Sequence, residues 1–180
     1  MSQGSSSLSS VNQDEFRSAL GWFPTGVAVV TAGDADTENR IGMTITSFNS
    51  VSLDPPLVLF SIGKRALSLP FLIDADEYSI NILGEHHQPI SNRFATAKSD
   101  KWAGTEIVRH EGLPFTLADA IVSFQCKPYA QHDGGDHMIF IGQVMRIHYQ
   151  QLETARPLVF FRGNYAALQS DARPVIGTRV

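Results

Sequence analysis

A long hairpin towards the C-terminus limits the fold more than any other sequence feature. Residues 121–129 alternate, with Val122, Phe124 and Cys126 on one face and Ser123, Gln125 and Lys127 on the other. Alternation with period two is typical of a β-strand that is buried on one side. A Gly-rich turn at residues 132–136 separates this segment from a second long strand pattern at residues 138–149. The spacing predicts two antiparallel strands joined by a hairpin turn.

Shorter strands and a few helices surround this hairpin. Apolar and β-branched runs predict strands at residues 27–32, 41–51, 57–62, 78–83 and 157–161. Helices are predicted at residues 65–74, where Pro70 keeps the helix short, and at residues 88–97. Six or more strands at hairpin spacing, with so few helices, predict a mainly β, antiparallel barrel rather than a parallel α/β sheet.

A further short helix is predicted at the start of the ordered chain. Asn12 and Glu15 have the spacing of a capping box, with Asn in place of the usual Ser or Thr. Phe16, Leu20 and Phe23 continue an apolar stripe at helical spacing. We expect this amphipathic helix to end near residues 21–24.

Length, charge and composition exclude several classes of protein. A chain of 180 residues is about one domain, and six serines among the first ten residues predict a flexible tail at residues 1–11 before a single domain at residues 12–180. The net charge of −4 argues against a general nucleic-acid binder. The sequence shows neither an apolar run of ~18 residues nor a secretory leader. We therefore expect a cytoplasmic protein with no nucleic-acid or membrane partner.

Several common catalytic fingerprints are missing from the sequence. It contains no G-x-G-x-x-G or Walker-type phosphate loop, no G-x-S-x-G nucleophile turn and no H-E-x-x-H zinc motif. The single cysteine, Cys126, excludes an internal disulfide and a cysteine-rich metal cluster. Its place on the apolar face of a strand predicts a buried, unreactive thiol.

Three polar segments remain as candidates for chemistry. Residues 42–52 are rich in hydroxyl and amide groups, which suits either a solvated edge strand or a strand that faces a ligand. Residues 61–68 place Lys64 and Arg65 where a strand turns towards a helix, which suits either a surface turn or a phosphate site. Residues 132–137 hold two His and two Asp, but this spacing is weak evidence for a metal site and we expect none.

Four blocks follow one another in the order and spacing of a known family. They are Phe23-Pro24-Thr25-Gly26-Val27-Ala28-Val29-Val30-Thr31, the block at residues 42–56, Gly135-Asp136-His137 and Phe161-Arg162-Gly163-Asn164-Tyr165. Over residues 12–168 the chain resembles the flavin reductase family, the NAD(P)H:flavin oxidoreductases that serve two-component monooxygenases. The resemblance implies a homodimer of FMN-binding split β-barrels, with flavin at the subunit interface.

The chain departs from the family pattern in two places. Thr44-Ile45-Thr46-Ser47 stands where members often have Thr-Ala-Asn-Ser, so a branched side chain replaces a small one and a hydroxyl replaces an amide. Asn164 occupies a position at which the family varies. The first departure bears on contacts with the flavin ring, and the second on the choice of nicotinamide.

The resemblance also implies the ligands and their contacts. NADH or NADPH would reduce FMN, with FAD as an alternative, and the reduced flavin would pass to a partner oxygenase or to ferric iron. Hydroxyls and backbone N–H groups suit the ring edge, where negative charge grows on reduction, and the basic turn suits the phosphate. The predicted cofactor contacts are Thr25, Thr44, Ile45, Thr46, Ser47, Ser50, Val51, Ser52, Ser61, Gly63, Lys64, Arg65, Ser68, Asn92, Arg93, Phe94, His137, Arg162, Gly163 and Tyr165.

His137 is the candidate catalytic residue. By the resemblance it lies beside the nicotinamide, where we expect it to bind and orient the ring rather than to donate a proton. A non-catalytic flavin- or haem-binding barrel and a pyridoxamine-phosphate-oxidase-like enzyme are the alternatives. The segments 135–137 and 162–165 favour the reductase, because a storage protein needs no nicotinamide site.

Overall fold

The computed structural model describes residues 11–37, 39–97, 99–149 and 155–168, so the tail predicted at residues 1–11 lies almost wholly outside the described residues. The helices are α1 (Gln13–Leu20), α2 (Leu69–Ile73) and α3 (Gln88–Ala95), and a 3₁₀ turn at Glu85–His87 precedes α3. The strands are β1 (Thr25–Gly26), β2 (Ala28–Ala32), β3 (Ile41–Ile45), β4 (Asn49–Leu53), β5 (Pro56–Gly63), β6 (Tyr78–Ile82), β7 (Ile107–His110), β8 (Leu113–Leu117), β9 (Val122–Gly134), β10 (His137–Tyr149), β11 (Val159–Phe161) and β12 (Asn164–Ala166).

Seven strands form one antiparallel sheet in the order β3-β2-β6-β9-β10-β5-β4. Its two outer strands, β3 and β4, are consecutive in the chain, and residues 46–48 join them. In that link the Ser47 hydroxyl is bonded to the backbone of Ser61 in β5. The backbone ladders of β3 and β4 are interrupted at this corner, so the side chain of Ser47 closes the sheet there. A mainly β, antiparallel fold is confirmed.

The interior of the curved sheet is filled by apolar side chains. The rings of Phe60 and Phe140 stack with their centroids 5.1 Å apart, and Tyr78 meets Phe60 edge-on at 5.3 Å. Leu72 of α2 and Ile80 of β6 belong to the same fully buried cluster. Burial of side chains of this size contributes about 1.5–3 kcal/mol each, so this cluster is the main source of the barrel's stability.

The opposite face of the sheet carries a buried polar layer that the sequence did not reveal. The β7–β8 hairpin, which was not predicted, covers this face. Asn81 accepts from the Leu117 N–H at 3.0 Å and from the Ser123 hydroxyl at 2.8 Å, and donates to the Val29 carbonyl at 3.0 Å. Both faces of β9 are therefore buried near its first residues, because its polar side chains form hydrogen bonds beneath the β7–β8 hairpin.

Other predicted boundaries also shift. The single strand predicted at residues 41–51 is two strands, because the chain turns a corner at residues 46–48. The turn predicted at residues 132–136 is only Gly135-Asp136, since Gly134 and His137 already pair with each other. The helix predicted at residues 65–74 begins at Leu69 and has five residues. Among the described residues, no helix has the length and apolar character needed to cross a bilayer.

The N-terminal helix α1 forms where it was predicted. The Asn12 side chain accepts from the Asp14 N–H at 2.8 Å, so the cap satisfies the second helical residue and not Glu15 as in a capping box. Its apolar residues Phe16 and Leu20 are exposed, at 56% and 57%. The apolar face of α1 is therefore exposed in the single chain.

Candidate active site

The tip of the β9–β10 hairpin packs against the end of β5. His137, the first residue of β10, pairs with Gly63, the last residue of β5. The backbone N–H of Lys64 donates to the backbone carbonyl of Asp136 at 2.8 Å. A Cβ added at Gly63 would lie 3.7 Å from Nε2 of His137. The basic turn and the His137 turn, which lie far apart in sequence, are therefore side by side.

His137 is oriented by its neighbouring carboxylate. Nδ1 of His137 lies 2.7 Å from Oδ1 of Asp136, and this hydrogen bond lowers the pKa of Asp136 below its usual value. Because a carboxylate accepts, Nδ1 carries the proton, and Nε2 of the neutral ring is left as an acceptor. The His137 side chain is 46% exposed. Its free nitrogen is thus available to a hydrogen-bond donor on a ligand.

The basic turn is balanced electrically by the same hairpin. Nζ of Lys64 lies 2.5 Å from Oδ2 of Asp133, and the other oxygen of Asp133 accepts the Gly135 N–H at 2.9 Å. The Lys64 hydrogen bond is the largest cause of a lowered pKa at Asp133. Arg65 also contributes to the lowered pKa of Asp136, after the larger effect of the histidine beside that carboxyl. Each cation of the turn has a carboxylate within electrostatic reach.

The corner at residues 46–48 brings the hydroxyl-rich segment to the end of β5. Oγ of Ser47 accepts from the Ser61 N–H at 2.9 Å and donates to the Ser61 carbonyl at 3.0 Å. Thr46 is exposed beside it. Ile45 points into the barrel and is only 5% exposed, so its side chain belongs to the core. The departure from the family at Ile45 is therefore a change in the core.

Strand β4 continues the polar segment along the edge of the sheet. Its register shifts between Ser50 and Ser52, so Val51 lies in a bulge. Ser50 and Val51 are exposed, and the Ser52 hydroxyl accepts the Asp54 N–H at 3.2 Å. An edge strand presents one row of backbone N–H and carbonyl groups to its surroundings, which suits both interpretations of this segment.

A second polar cluster lies on α3. Oγ1 of Thr44 donates to the Ser91 carbonyl at 2.7 Å, and the Tyr165 hydroxyl lies 2.8 Å from Oγ of Ser91 and 2.9 Å from Oδ1 of Asn92. Thr44, Asn92 and Tyr165 are all among the predicted cofactor contacts, and the structure brings them together. Ser91 joins them although it was not predicted, and its position next to Asn92 was the only signal for it.

Thr25 and Ser68 lie at the margins of the two clusters. Thr25 pairs in β1 with Phe160 of β11, and the Phe160 ring meets the Tyr165 ring edge-on at 5.7 Å. Ser68 precedes α2, and its side chain makes no capping hydrogen bond with that helix. With only five residues, α2 supplies little dipole to the basic turn.

Two predicted contacts on α3 are used inside the protein. Phe94 has no exposed surface and packs edge-on against Trp102 at 5.0 Å, so its side chain belongs to the core. Arg93 donates to the Ala103 carbonyl and to Oγ1 of Thr105. These bonds direct Arg93 to the loop that follows α3 rather than to the His137 region.

Arg162 and Gly163 form the tight turn between β11 and β12, with φ of 49° and 78°. The Arg162 guanidinium lies 4.4 Å from the centroid of the Trp22 ring, and the backbone N–H of Arg162 donates to the Gly21 carbonyl at 3.0 Å. The predicted grouping of Arg162 with His137 is therefore not seen in the single chain. Arg162 is associated with the segment after α1.

Two predictions about chemistry outside this region can be compared with the structure. Cys126 is buried as the alternation predicted, and burial raises the pKa of its thiol to about 12, which disfavours the reactive thiolate. Within the described part of the chain, no three His, Cys, Asp or Glu side chains meet as a metal site. His132 lies in β9 opposite Ile139, away from a shared turn with His137.

A cavity of about 680 Å³ lies between α2, the link from β2 to β3, and the β7–β8 hairpin. Five carboxylic residues line it, namely Asp34, Asp36, Asp74, Asp76 and Glu77, against one arginine, Arg109. Its size suits a ligand, but carboxylates repel phosphate groups. This cavity is unsuited to the phosphates of a flavin or a nicotinamide.

Comparison with known proteins decides the family. Residues 20–169 match the model of the flavin reductase like domain. The chain belongs to the flavin reductase family. The resemblance predicted from four sequence blocks is thereby confirmed, and so is the split-barrel fold, since solved flavin reductases superpose on this chain.

The relatives of this flavin reductase carry several names. The chain is 39% identical over 158 residues to "FMN reductase (NADH) SmoA" of Agrobacterium fabrum, covering 86% of this chain and 85% of the other. It is 32% identical to the reductase subunit HsaB of a flavin-dependent monooxygenase of Rhodococcus jostii, covering 93% of this chain and 84% of the relative. It is 35% identical to "Actinorhodin polyketide dimerase" of Streptomyces coelicolor, covering 89% of each chain. The NADH:FAD oxidoreductase SgcE6 of Streptomyces globisporus, solved with NAD and FAD fragments, superposes with a TM-score of 0.81 at 31% identity (90% and 96%).

The residues of this flavin reductase fit a flavin chemically. The ring edge needs neutral hydrogen-bond donors, and exposed hydroxyl and N–H groups lie along residues 46–52. The phosphate needs cationic donors, and Lys64 and Arg65 supply them next to the Ser47–Ser61 corner. Asp133 and Asp136 moderate that positive charge without removing the donors.

Proposed function

We propose that this chain is an NADH-dependent flavin reductase that reduces FMN, accepts FAD as an alternative and delivers reduced flavin to a separate oxygenase. One observation carries the proposal. The hydroxyl-rich corner and the basic turn after β5 lie together in space with the His137 turn, which is far from both in sequence. The names of the relatives SmoA and HsaB support the choice of NADH, of FMN and of an oxygenase partner.

The residues of this region act by binding and orientation. When bound, NADH supplies a hydride and the flavin accepts it. Thr46 and the backbone of β4 hold the polar edge of the flavin ring, and Lys64 meets its phosphate. His137 presents the Nε2 acceptor to the carboxamide N–H of the nicotinamide, because Asp136 holds the proton on Nδ1. The α3 cluster around Tyr165 forms the other wall.

A steady-state assay tests this function. We expect purified protein to consume NADH in the presence of FMN, and to consume it only at a background rate without added flavin. FAD and riboflavin, assayed in turn, give the acceptor preference, and NADPH in place of NADH gives the donor preference. Flavin binding without NADH consumption would replace the reductase with a storage or sensing barrel. Turnover of pyridoxamine phosphate instead would move the chain to that class of oxidase.

We further propose that the protein is a cytoplasmic homodimer. Exposed apolar residues cluster on α1 and the segment after it: Phe16, Leu20, Trp22 and Phe23 are 56%, 57%, 62% and 74% exposed. An apolar surface of this kind marks an interaction site, and Arg162 stacks on its edge at Trp22. Light scattering should give a mass of two chains at micromolar concentration. A monomer with full activity would contradict the dimer and leave the reductase activity in place.

A further inference from the structure

We propose that Asp133 determines how strongly this enzyme favours phosphorylated over unphosphorylated flavin, by competing with the flavin phosphate for Lys64. The inference rests on the proposed function, because it takes Lys64 to be the phosphate contact. The role of Asp133 is to keep the phosphate weakly held. FMN is then a substrate that leaves after reduction, rather than a permanently bound cofactor.

The geometry places Asp133 as a built-in competitor. Its Oδ2 accepts a charge-assisted hydrogen bond from Nζ of Lys64. Its other oxygen accepts the Gly135 N–H at 2.9 Å, so the hairpin backbone holds the carboxylate in place. The bond from the Lys64 N–H to the Asp136 carbonyl joins the two turns directly. Lys64 therefore meets Asp133 without any rearrangement of the backbone.

The charges of the two turns sum to zero. Lys64 and Arg65 carry two positive charges, and Asp133 and Asp136 carry two negative charges within electrostatic reach of them. An incoming phosphate gains the attraction of Lys64 only as it displaces Asp133, and it meets the repulsion of both carboxylates. The side chains of Lys64 and Asp133 are 38% and 70% exposed, so the exchange occurs in contact with water. The ion pair thus reduces the advantage of the phosphate and leaves the ring contacts unchanged.

The experiment compares two ligands that differ only in the phosphate. The dissociation constants of FMN and riboflavin are measured by quenching of flavin fluorescence, at low ionic strength, for the wild type, Asp133→Asn, Lys64→Ala and the double variant. Asp36→Asn is the matched control, because Asp36 is also an exposed carboxylate paired with a cation, Arg109, and lines the acidic cavity. Melting temperatures are recorded for every variant.

We expect Asp133→Asn to tighten FMN by about fivefold, because the repulsion between one unit charge and a like charge ~4 Å away in water is worth about 1 kcal/mol. Riboflavin should change by less than about twofold, and added salt should shrink the FMN effect. Lys64→Ala should weaken FMN, and in that background Asp133→Asn should have a smaller effect on FMN. The control variant should leave both constants unchanged.

The outcomes separate the inference from the function on which it rests. If Asp133→Asn lowers only the melting temperature, or leaves the ratio of FMN to riboflavin affinity unchanged, Asp133 is a structural tether and the inference is overturned. If Lys64→Ala does not change that ratio either, the phosphate binds elsewhere, while NADH oxidation with FMN still upholds the reductase. If neither flavin binds the wild type and no NADH is consumed, both proposals fail.

Discussion

The buried imidazole of His87 makes a quantitative prediction about stability and pH. His87 is 3% exposed, and its Nδ1 accepts the Gly84 N–H at 3.0 Å. The proton of the neutral ring therefore lies on Nε2, which has no hydrogen-bond partner among the residues that the structure describes. Burial lowers the pKa of His87 from 6.5 to about 4, with a smaller contribution from His86. His87 immediately precedes α3, which carries the Ser91–Asn92–Tyr165 cluster.

The sign and size of the effect follow from the two pKa values. Between pH 6.5 and about 4 the unfolded chain binds a proton at His87 that the folded chain does not bind, so stability falls as pH falls. Above pH 6.5 both states are neutral and this loss disappears. A difference of about 2.5 pKa units corresponds to about 3 kcal/mol in full, of which about 1.4 kcal/mol is lost at about pH 5.5.

Urea denaturation at several pH values between about 7.5 and 4.5 measures this loss. His87→Asn is the test variant, since an Asn oxygen can accept the Gly84 N–H and does not titrate. The wild type should lose about 2.5 kcal/mol more than this variant between the two ends of the range. His86→Asn, at the exposed neighbouring position, should keep most of the wild-type loss, because burial is the larger cause of the lowered pKa of His87. Parallel curves for the wild type and His87→Asn would refute the reasoning.

Three further predictions concern the active site and the barrel. His137→Ala should raise KM for NADH roughly three- to tenfold with little change in kcat, whereas a fall in kcat of about 10²–10⁴ at unchanged KM would identify a proton donor instead. Ser47→Ala removes both hydrogen bonds that close the barrel and should cost about 1–3 kcal/mol in denaturant unfolding; an unaltered midpoint would mean that the corner needs neither bond. Gly42→Ala would place a Cβ against the Phe94 ring and should destabilise the protein by about 1–3 kcal/mol. Gly26→Ala, whose Cβ meets open space, should leave stability unchanged. Equal melting temperatures for the two variants would contradict this packing.

The sequence alone predicted the family, the barrel and most strands, because these depend on local patterns. Alternation in residues 121–129 and β-branched runs such as residues 27–32 reflect which side of a strand is buried, and each pattern is readable within a few residues. The buried thiol of Cys126 follows from the same alternation. The four blocks of the family are likewise local features.

Contacts between segments that are distant in the sequence could not be predicted from local patterns. Ile45 and Thr46 are adjacent and similar in size. The corner after β3 nevertheless turns Ile45 into the core and leaves Thr46 exposed. The buried polar layer around Asn81 required the β7–β8 hairpin, whose short strands carry little local signal.

The electrostatic character of the active site was also decided by the tertiary structure. The sequence shows Lys64 without a partner, but the pairing of β10 with both β5 and β9 brings Asp133 to it from 69 residues away. A one-residue slip in that pairing would turn every side chain of the strand to the other face. Local propensity describes each strand by itself, whereas the pairing that sets charge against charge depends on how the whole sheet closes.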